Sequence, residues 1–558
     1  MALSAEIPNA PPDERSDEVL ADHEYGKLTS PDHLYVSKHP LGEPLPTPVD
    51  DEPPILIYIL TYISYLILII IGHVRDFFGK IFKAQDYRHL VEHDGYAPWY
   101  DAFESFYVRR MKTRIDDCFA RPIHGVPGRF VKCFNRVRHG RYGYLYDGTL
   151  TECLNLSSYN YLGFAQSKGV CTDVALDILD NYGVSLCSPR SQGGTTDLHQ
   201  ETERVIANFV GKEDAIIVSQ GYGTNANLFM LIADKNTLVI SDELNHASIR
   251  FGIRLSGACV KVFKHNNVDD LEKRIREQIA QGQPRTHRPW KKIIIAVEGL
   301  YSMEGNMCNL PRLIELKNKY GCYLFVDEAH SIGALGPQGR GVCDYFQVDP
   351  NEVDLLMGTF TKSFGATGGY IAGDKTIIDR LRLDYITQNY AEGVPPPVLG
   401  QILLSLLVIE GKLNPGEGKE RLQRIAFNLR YLRLGLKKLG FIVYGADDSP
   451  VIPVLVFLPT KMPVLLRSLY LMGIAIVIVS YPATPLISAR ARLCVSLALT
   501  KEDLDLILTK FSELGDLCYL KFSLGVAGGS KEPGKPPRWL IEEVLATNVE
   551  DCKKPKLT

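Results

Sequence analysis

The sequence has few of the features that would indicate a metal-binding, disulfide-stabilised or nucleic-acid-binding protein. Its 558 residues include 12 scattered cysteines, and no two of them form a Cys-x-x-Cys pair. This spacing gives no support for a zinc or thioredoxin-like site, so we expect no metal, and free thiols are typical of a reducing compartment. A formal net charge of −3 provides no overall attraction to nucleic acid.

The chain also begins without a secretory signal, because no basic stretch followed by an apolar stretch opens it. Residues 1–53 are instead rich in Pro, Asp and Glu, a composition that predicts a disordered, solvated tail. Residues 526–558 contain several Gly, Pro and Lys residues and predict a second flexible tail.

One long apolar run follows the first tail. Ile55–Ile71 is 17 residues without a charge, and as a helix it would reach ~25 Å, slightly less than a ~30 Å hydrocarbon core. We therefore predict a membrane anchor over residues 54–84. Two readings stay open, a transmembrane helix and an interfacial one, because aromatic and basic residues mix in the stretch after Val74. A buried core helix is the third alternative.

The charges around this run predict its orientation if it spans. Three acids precede it, and Arg75, Lys80 and Lys83 follow it. Because basic flanks stay in the cytosol, the large C-terminal part would be cytosolic.

The rest of the chain, after an N-terminal segment over 85–150, alternates short apolar runs with helical patterns. Residues 151–398 predict a doubly wound, mostly parallel α/β sheet, and residues 399–525 predict a smaller α+β domain. The expected strands of the large sheet are Ala215–Val218, Leu238–Ile240, Val260–Phe263, Ile293–Val297, Tyr323–Val326 and Leu355–Met357. Strands are also expected near Ile452–Phe457 and Ile474–Val479. Ligands bind beyond the carboxyl ends of parallel strands, so polar residues there are candidates for a site.

The strongest chemical signal is Gly358-Thr-Phe-Thr-Lys-Ser-Phe-Gly365, which follows an apolar strand. Hydroxyl groups and backbone N–H groups can hold a phosphate there, while the amine of Lys362 forms an imine with a carbonyl. This pattern indicates pyridoxal 5′-phosphate (PLP), carried on Lys362.

A second signal is Asp327-Glu-Ala-His330, at the end of another apolar strand. An isolated carboxylate there is costly unless it meets a cation, and the pyridinium nitrogen of PLP is such a cation. Asp-Glu-Ala-His is also a helicase motif, but helicases need a Gly-x-x-x-x-Gly-Lys-Ser/Thr loop, which this sequence lacks.

Two further segments follow strands. His246 ends Ser241-Asp-Glu-Leu-Asn-His246, where an imidazole can stack on a cofactor ring, although a lone histidine is more often structural. Gly221-Tyr222-Gly223 lies in a Gly-rich strand-to-helix turn. That turn partly resembles a dinucleotide fingerprint, but a second phosphate-binding loop with Tyr222 near the cofactor is the preferred interpretation.

Together these segments resemble the α-oxoamine synthases, fold-type I PLP enzymes that join an amino acid to an acyl-CoA and release CO₂. The resemblance runs from Asp147 to Asp516 and includes Asn155-Leu-Ser-Ser-Tyr-Asn-Tyr-Leu-Gly163 and Val297-Glu-Gly-Leu-Tyr-Ser-Met-Glu-Gly305. The apolar run, the stretch Tyr107–Pro122 and the loop Pro482-Ala-Thr-Pro485 resemble its membrane-bound branch.

The resemblance implies a role for each site residue. Lys362 would hold PLP, Asp327 would face its ring nitrogen, His246 would stack on the ring and His330 would approach its phenolic oxygen. Thr359, Gly221 and Tyr222 would help to bind the cofactor, and Arg492 would bind the substrate carboxylate. Lys362, His246 and Asp327 form the expected catalytic set.

The membrane-bound branch also implies L-serine and a long-chain acyl-CoA as substrates, and a lysine-lacking subunit as heterodimer partner. It further implies an endoplasmic reticulum membrane with the catalytic domain facing the cytosol. Two alternatives stay open, another α-oxoamine synthase and an inactive scaffold subunit. The second is suggested by Tyr390-Ala-Glu-Gly393, where the family usually has Tyr-Ala-Thr-Ser. Ser188-Pro-Arg-Ser191 and Leu497-Ala-Leu-Thr500 also depart from the usual family pattern.

Overall fold

The computed structural model describes residues 17–45, 51–112, 120–139 and 143–554. Its α-helices are α1 (Asp17–Glu24), α2 (Ile55–Phe82), α3 (Ala84–Tyr87), α4 (Val170–Tyr182), α5 (Asp197–Val210), α6 (Gly221–Ile232), α7 (Ala247–Ser256), α8 (Val268–Gln281), α9 (Leu310–Tyr320), α10 (Val342–Phe346), α11 (Lys375–Asp384), α12 (Ile386–Tyr390), α13 (Pro396–Ile409), α14 (Glu417–Lys438), α15 (Lys461–Leu471), α16 (Lys501–Leu517) and α17 (Ile541–Cys552).

The strands form three sheets. They are β1 (Ile123–His124), β2 (Phe130–His139), β3 (Gly143–Asn155), β4 (Asp214–Val218), β5 (Thr237–Asp242), β6 (Cys259–Phe263), β7 (Lys292–Glu298), β8 (Tyr323–Asp327), β9 (Leu355–Thr359), β10 (Gly369–Gly373), β11 (Val451–Leu455), β12 (Ile474–Ala475), β13 (Val477–Val479) and β14 (Arg490–Cys494).

The largest sheet has seven strands in the order β4-β10-β9-β8-β7-β5-β6. Strands β9, β8, β7, β5 and β6 pair in parallel, and β10 runs antiparallel to both β9 and β4. Each of the six strands expected from the sequence forms, with one to three additional residues in total. The prediction of a mostly parallel α/β sheet is confirmed.

The apolar sequence of β7 shows why this sheet is buried on both faces. Ile295 and Val297 pack into one hydrophobic cluster, whereas Ile294 and Ala296 pack into a second cluster. Successive side chains of a strand point to opposite faces, so helices must cover both sides. The carboxyl ends of the parallel strands are then the open edge for polar groups.

Strand β10 was not predicted, because Gly369-Tyr-Ile-Ala-Gly373 carries glycine at both ends. Gly368, just before it, has φ +93°, and a Cβ there would lie 2.4 Å from the carbonyl oxygen of Val218. Only glycine allows this close approach, which brings the chain from the Lys362 segment back into the sheet.

The C-terminal part contains an antiparallel sheet in the order β11-β14-β13. The single strand expected over Ile474–Val479 is divided, because β12 pairs in parallel with β3 while β13 pairs with β14. The long β2–β3 hairpin belongs to the same four-stranded sheet as β12 and was not predicted. The proposed domain limits at 150, 398 and 525 stay predictions.

The structure corrects the expectation of a disordered N-terminal tail for the described residues before 54. The backbone N–H of Ser167 donates to Glu24 Oε2 at 2.7 Å, and the N–H of Tyr35 donates to the Gln423 carbonyl at 2.9 Å. His33 stacks on Phe427. A few anchoring residues among polar ones are enough to dock such a segment, and average composition does not detect them. Residues 1–16 and 46–50 lie outside the described part of the chain.

The C-terminal tail requires the same correction. Helix α17 packs against α14, with Val544 fully buried and Asn548 Nδ2 donating to the Tyr431 carbonyl at 2.7 Å. Glycine- and proline-rich residues before it form a connection, and the final helix is part of the fold. Residues 555–558 lie outside the described residues.

Helix α2 is longer than the apolar run that predicted it, extending over 28 residues from Ile55 to Phe82. It is long and apolar enough to cross a membrane. Most of its apolar side chains are exposed, among them Ile59, Leu66 and Ile70. The alternative of a buried core helix is therefore excluded.

Replacing Asn548 tests the docking of α17. Asn548→Ala removes the side-chain hydrogen bond to the Tyr431 carbonyl, so we expect it to lower the free energy of unfolding by about 0.5–1.5 kcal/mol. The matched control is Glu550→Ala on the exposed side of the same helix. Thermal unfolding of both variants decides the point: equal melting temperatures would show that α17 is not docked.

Candidate active site

The residues singled out by the sequence meet at the carboxyl edge of the large sheet. Asp327 ends β8, Thr359 ends β9, and His246 precedes α7 after β5. Lys362 follows Thr359 in the turn toward β10. The parallel strand order therefore brings these separate segments to one place.

Asp327 is a buried carboxylate that hydrogen bonds hold in place at this edge. It is 3% exposed, and its Oδ2 accepts a hydrogen bond from Asn225 Nδ2 at 2.6 Å. Its Oδ1 accepts from the backbone N–H of Ala329 at 2.8 Å. Two donors thus fix the orientation of a buried carboxylate that a cofactor cation can approach.

Asn225 extends this arrangement to His246. The same amide nitrogen donates to Ser248 Oγ at 3.1 Å, and Ser248 Oγ lies 2.7 Å from His246 Nδ1. His246 also caps α7, where its Nδ1 accepts from the backbone N–H of Ser248. Burial lowers the pKa of His246, which favours the neutral ring. Asn225 and Ser248 were not predicted as site residues.

Glu298, at the end of β7, contacts the backbone of His246. Its Oε1 accepts a hydrogen bond from the backbone N–H of His246. Burial raises the pKa of Glu298 well above its usual range, and the neighbouring Asp327 charge adds to that effect. A polar residue at the end of an apolar strand was the signal that could have identified it.

Lys362 has an unusually weak affinity for its proton. Burial lowers its pKa to about 8, partly opposed by the carboxylates of Asp327 and Glu298. Its Nζ lies 5.7 Å from the centre of the Tyr159 ring. A lysine with this pKa is partly neutral near pH 7–8, and the neutral amine is the nucleophile that reacts with an aldehyde.

His330 is buried as well, with 6% of its surface exposed. Its Nδ1 is 2.9 Å from the hydroxyl of Tyr161, and Tyr159 packs edge-on against its ring. Burial lowers the pKa of His330 well below its usual range, and Lys362 and Arg492 lower it further. The Asn155–Gly163 segment therefore supplies two tyrosines whose positions the sequence did not predict.

A cradle suited to a phosphate lies at the N-terminus of α6. The first N–H groups of a helix have no partner within it, and they attract anions. A Cβ at Gly221 would lie 2.9 Å from Thr359 Oγ1, so glycine keeps this space open beside the hydroxyl. The ring of Tyr222 packs edge-on to His246, with centroids 6.0 Å apart. These groups fit the phosphate of PLP, and Asp327 fits its ring nitrogen.

Arg492 approaches the same site from the small antiparallel sheet. It is 7% exposed, and its guanidinium carbon lies 4.9 Å from the Tyr159 ring centre. Within the described residues, its buried Nε has no hydrogen-bond partner. By contrast, Arg490 on the same strand donates to the carbonyl oxygens of Ser488 and Met303. Arg492 therefore keeps donor capacity for an anionic ligand.

Two of the departures from the family pattern, Ser188–Ser191 and Tyr390–Gly393, contact each other. Glu392 forms an isolated antiparallel bridge with Pro189. A Cβ at Gly393 would lie 3.2 Å from the Arg190 side chain and 3.0 Å from His199 Nε2. The two segments therefore pack against each other. The effect of these sequence changes on activity stays a prediction.

Comparison with known proteins agrees with the fold. The family described as aminotransferase class I and II matches residues 151–511. Serine palmitoyltransferase 2 from Saccharomyces cerevisiae is 60% identical over 551 residues, covering 99% of this chain and 98% of that protein. Serine palmitoyltransferase 2 from Schizosaccharomyces pombe is 51% identical over 548 residues, covering 96% of this chain and 91% of that protein.

Solved structures show the same likeness. A serine palmitoyltransferase variant from S. paucimobilis with a bound PLP–myriocin aldimine has a TM-score of 0.65 and 25% identity, covering 75% of this chain and 100% of that chain. A high-resolution serine palmitoyltransferase structure with a PLP internal aldimine has a TM-score of 0.65 and 26% identity, again covering 75% and 100%.

The pKa of Lys362 can be measured directly. Only a neutral amine reacts with an acylating reagent, so the labelling rate at Lys362 should rise through a midpoint near pH 8 in the cofactor-free protein. Asp327→Asn removes a charge that raises this pKa, so its midpoint should move to lower pH. Asp269→Asn, on the exposed start of α8, should leave the midpoint unchanged. Peptide mass mapping across pH measures each rate. A midpoint near 10 in the unsubstituted protein would contradict the burial argument.

Proposed function

The chain belongs to the serine palmitoyltransferase 2 family, within the class I and II aminotransferases, and from this premise we propose that it is the catalytic, PLP-carrying subunit. It is a PLP-dependent acyltransferase that condenses L-serine with palmitoyl-CoA, a long-chain acyl-CoA. The products are 3-ketodihydrosphingosine, CoA and CO₂, which makes this reaction the first step of sphingolipid biosynthesis. The observation that carries the assignment is Lys362, an amine of lowered pKa placed beside the buried Asp327.

We propose the following residues as the cofactor site. Lys362 would attach PLP covalently, and Asp327 would face its ring nitrogen. The hydroxyl of Thr359 and the N-terminus of α6 at Gly221 would hold the phosphate. His246 would lie against the ring with Tyr222 beside it, and His330 would approach the phenolic oxygen. When bound, PLP supplies an electron sink for the electron pair released at the Cα of the amino acid.

The residues of the protein itself would stabilise charge, transfer a proton and exclude water. Asp327 is held by Asn225 and by the Ala329 N–H, so its charge does not need to reorient when a cation approaches. Lys362 has a pKa of about 8, which allows its amine to hold or release a proton near neutral pH. Burial of the site keeps water away from the reacting carbon.

Arg492 is proposed to bind the carboxylate of L-serine. The Nε of its guanidinium has no partner within the described residues, and the guanidinium lies against Tyr159, which also neighbours Lys362. A planar guanidinium meets a carboxylate in two parallel hydrogen bonds, which orients the amino acid toward the amine.

The cellular setting is also a proposal. We propose attachment to the endoplasmic reticulum membrane with the catalytic part in the cytosol, supported by the exposed apolar helix α2. We further propose a heterodimer with long-chain-base subunit 1, which lacks the lysine. Support for a partner comes from the exposed Tyr390 and Leu383, close in sequence to Glu392.

The visible spectrum of the protein, purified with its co-expressed partner, tests the function. A PLP absorbance band that shifts on addition of L-serine is expected, and Lys362→Ala should abolish both the native band and product formation. Thermal unfolding of the variant is the control for folding. An assembled complex with no band would reject the catalytic role and favour the inactive scaffold, the alternative suggested by the changed Tyr390–Gly393 loop.

Arg492→Ala tests the carboxylate site. Hydrogen bonds to charged groups contribute ~1.5–3 kcal/mol, so kcat/KM for L-serine should fall roughly 10- to 100-fold. The KM for palmitoyl-CoA and the PLP band should change little, and Arg492→Lys should recover part of the loss. An equal effect on both substrates would show that Arg492 has a structural role.

A further inference from the structure

A second cluster of ionisable side chains lies at the carboxyl edge of the large sheet, and neither of its first two members belongs to the proposed cofactor site. Asp242 ends β5, and His265 follows the neighbouring strand β6. Asp242 is 2% exposed, and its Oδ1 lies 3.0 Å from His265 Nδ1. The backbone N–H groups of Leu244 and Asn266 donate to the two oxygens of this carboxylate at 2.9 and 3.0 Å. The carboxylate is thus fixed and orients the imidazole ring.

The surroundings of His265 favour its protonated form. Burial lowers the pKa of His265, whereas the hydrogen bond and the charge of Asp242 raise it. The carboxylates of Glu304 and Glu243 add to the second effect, and the resulting pKa lies above the usual value of an imidazole. The backbone N–H of His265 also donates to Glu243 Oε1 at 2.7 Å. Both ring nitrogens carry a proton in this form, so Nε2 needs an acceptor.

The ring of His265 contacts the loop that follows β7, residues 299–306, here called the β7 loop. Tyr301 packs edge-on against the ring, with centroids 4.4 Å apart. Asn306 Nδ2 lies 3.5 Å from His265 Nε2, a distance that gives only a weak hydrogen bond to a neutral ring. Asn306 Oδ1 is buried and has no hydrogen-bond partner within the described residues. A half-turn of the amide exchanges its two atoms, and Oδ1 then accepts from the protonated ring.

The same loop contacts β14, the strand that carries Arg490 and Arg492. Arg490 Nη1 donates to the Met303 carbonyl at 2.8 Å and lies 3.5 Å from Glu304 Oε1. Arg492 Nη1 lies 3.9 Å from Met303 Sδ. Met303 therefore contacts both arginines, and a displacement of the β7 loop would change the surface against which Arg492 lies.

We propose that His265, as an imidazolium, is a positioning residue for substrate binding. It joins the β7 loop to the end of β5, and through Met303 the loop keeps the guanidinium of Arg492 aligned for the carboxylate of L-serine. His265 acts through the loop and is not itself a catalytic residue. This inference rests on the proposed function. Loss of the ring proton removes the Nε2–H donor and the charge attracted by Asp242, so binding of L-serine should weaken as the pH rises through the raised pKa of His265.

Steady-state kinetics of the full chain, purified with its co-expressed partner, test this role. His265→Gln keeps a polar side chain but cannot carry the charge, so its KM for L-serine should rise roughly 2- to 30-fold. The KM for palmitoyl-CoA and the PLP band should change little. In the unsubstituted enzyme kcat/KM for L-serine should fall as the pH rises through the pKa of His265, and the variant should lack this step. His139→Gln, at the exposed end of β2, is the matched control and should retain both the KM and the step.

A double-mutant cycle shows whether the effect passes through Arg492. In an Arg492→Ala background, His265→Gln should cause less than about a twofold further loss of kcat/KM for L-serine. Additive losses would overturn the proposal. Equal increases in both KM values would also overturn it, because a general structural role would explain them.

Thermal unfolding of the cofactor-free protein separates this inference from the proposed function. The melting temperature of the unsubstituted protein should exceed that of His265→Gln by more at about pH 6 than at about pH 9, whatever the activity, because a raised pKa stabilises the fold at low pH. A difference that does not depend on pH would overturn the imidazolium bridge. A complex that shows this dependence but forms no product would reject the proposed function and, with it, the role in L-serine binding.

Discussion

The buried carboxylate of Asp327 is the constraint on which the site depends. A charge removed from water must be compensated by hydrogen bonds or by an opposite charge. Asn225 provides the first compensation and thereby fixes the start of α6, while its contact with Ser248 fixes α7 and His246. The same charge partly restores the proton affinity that Lys362 loses on burial. One carboxylate thus fixes the positions of two helices and partly restores the pKa of Lys362.

The site is assembled from all three sheets. The large sheet provides Asp327 and Thr359, the end of β3 leads to Tyr159, and β14 of the small sheet provides Arg492. Tyr159 is the common neighbour of Lys362 and Arg492. Residues Ile474–Val479 connect two of these sheets, because β12 pairs with β3 and β13 pairs with β14 of the small sheet.

Much of this arrangement could be predicted from the sequence, because continuous apolar runs identify strands that are buried on both faces. Lys362, Asp327, His246 and Thr359 were found because each follows such a run. Asn225 and Ser248 were not found, since they lie inside helices and act through contacts between distant segments. The docked ends of the chain were missed for a related reason. Their anchoring residues are sparse, and their binding surfaces are formed by residues more than one hundred positions away.

The hydrogen bond from Ser523 to Asp51, which lies just before α2, has a consequence for synthesis of the protein. The two residues are 472 positions apart, which corresponds to about 25 to 95 s of translation at ~5–20 residues per second. During that time α2 has left the ribosome, but the loop that will hold its start does not yet exist. The apolar nascent helix must therefore bind lipid or a chaperone during this time. Docking of the start of α2 onto the Ser523 loop is then among the last steps of folding.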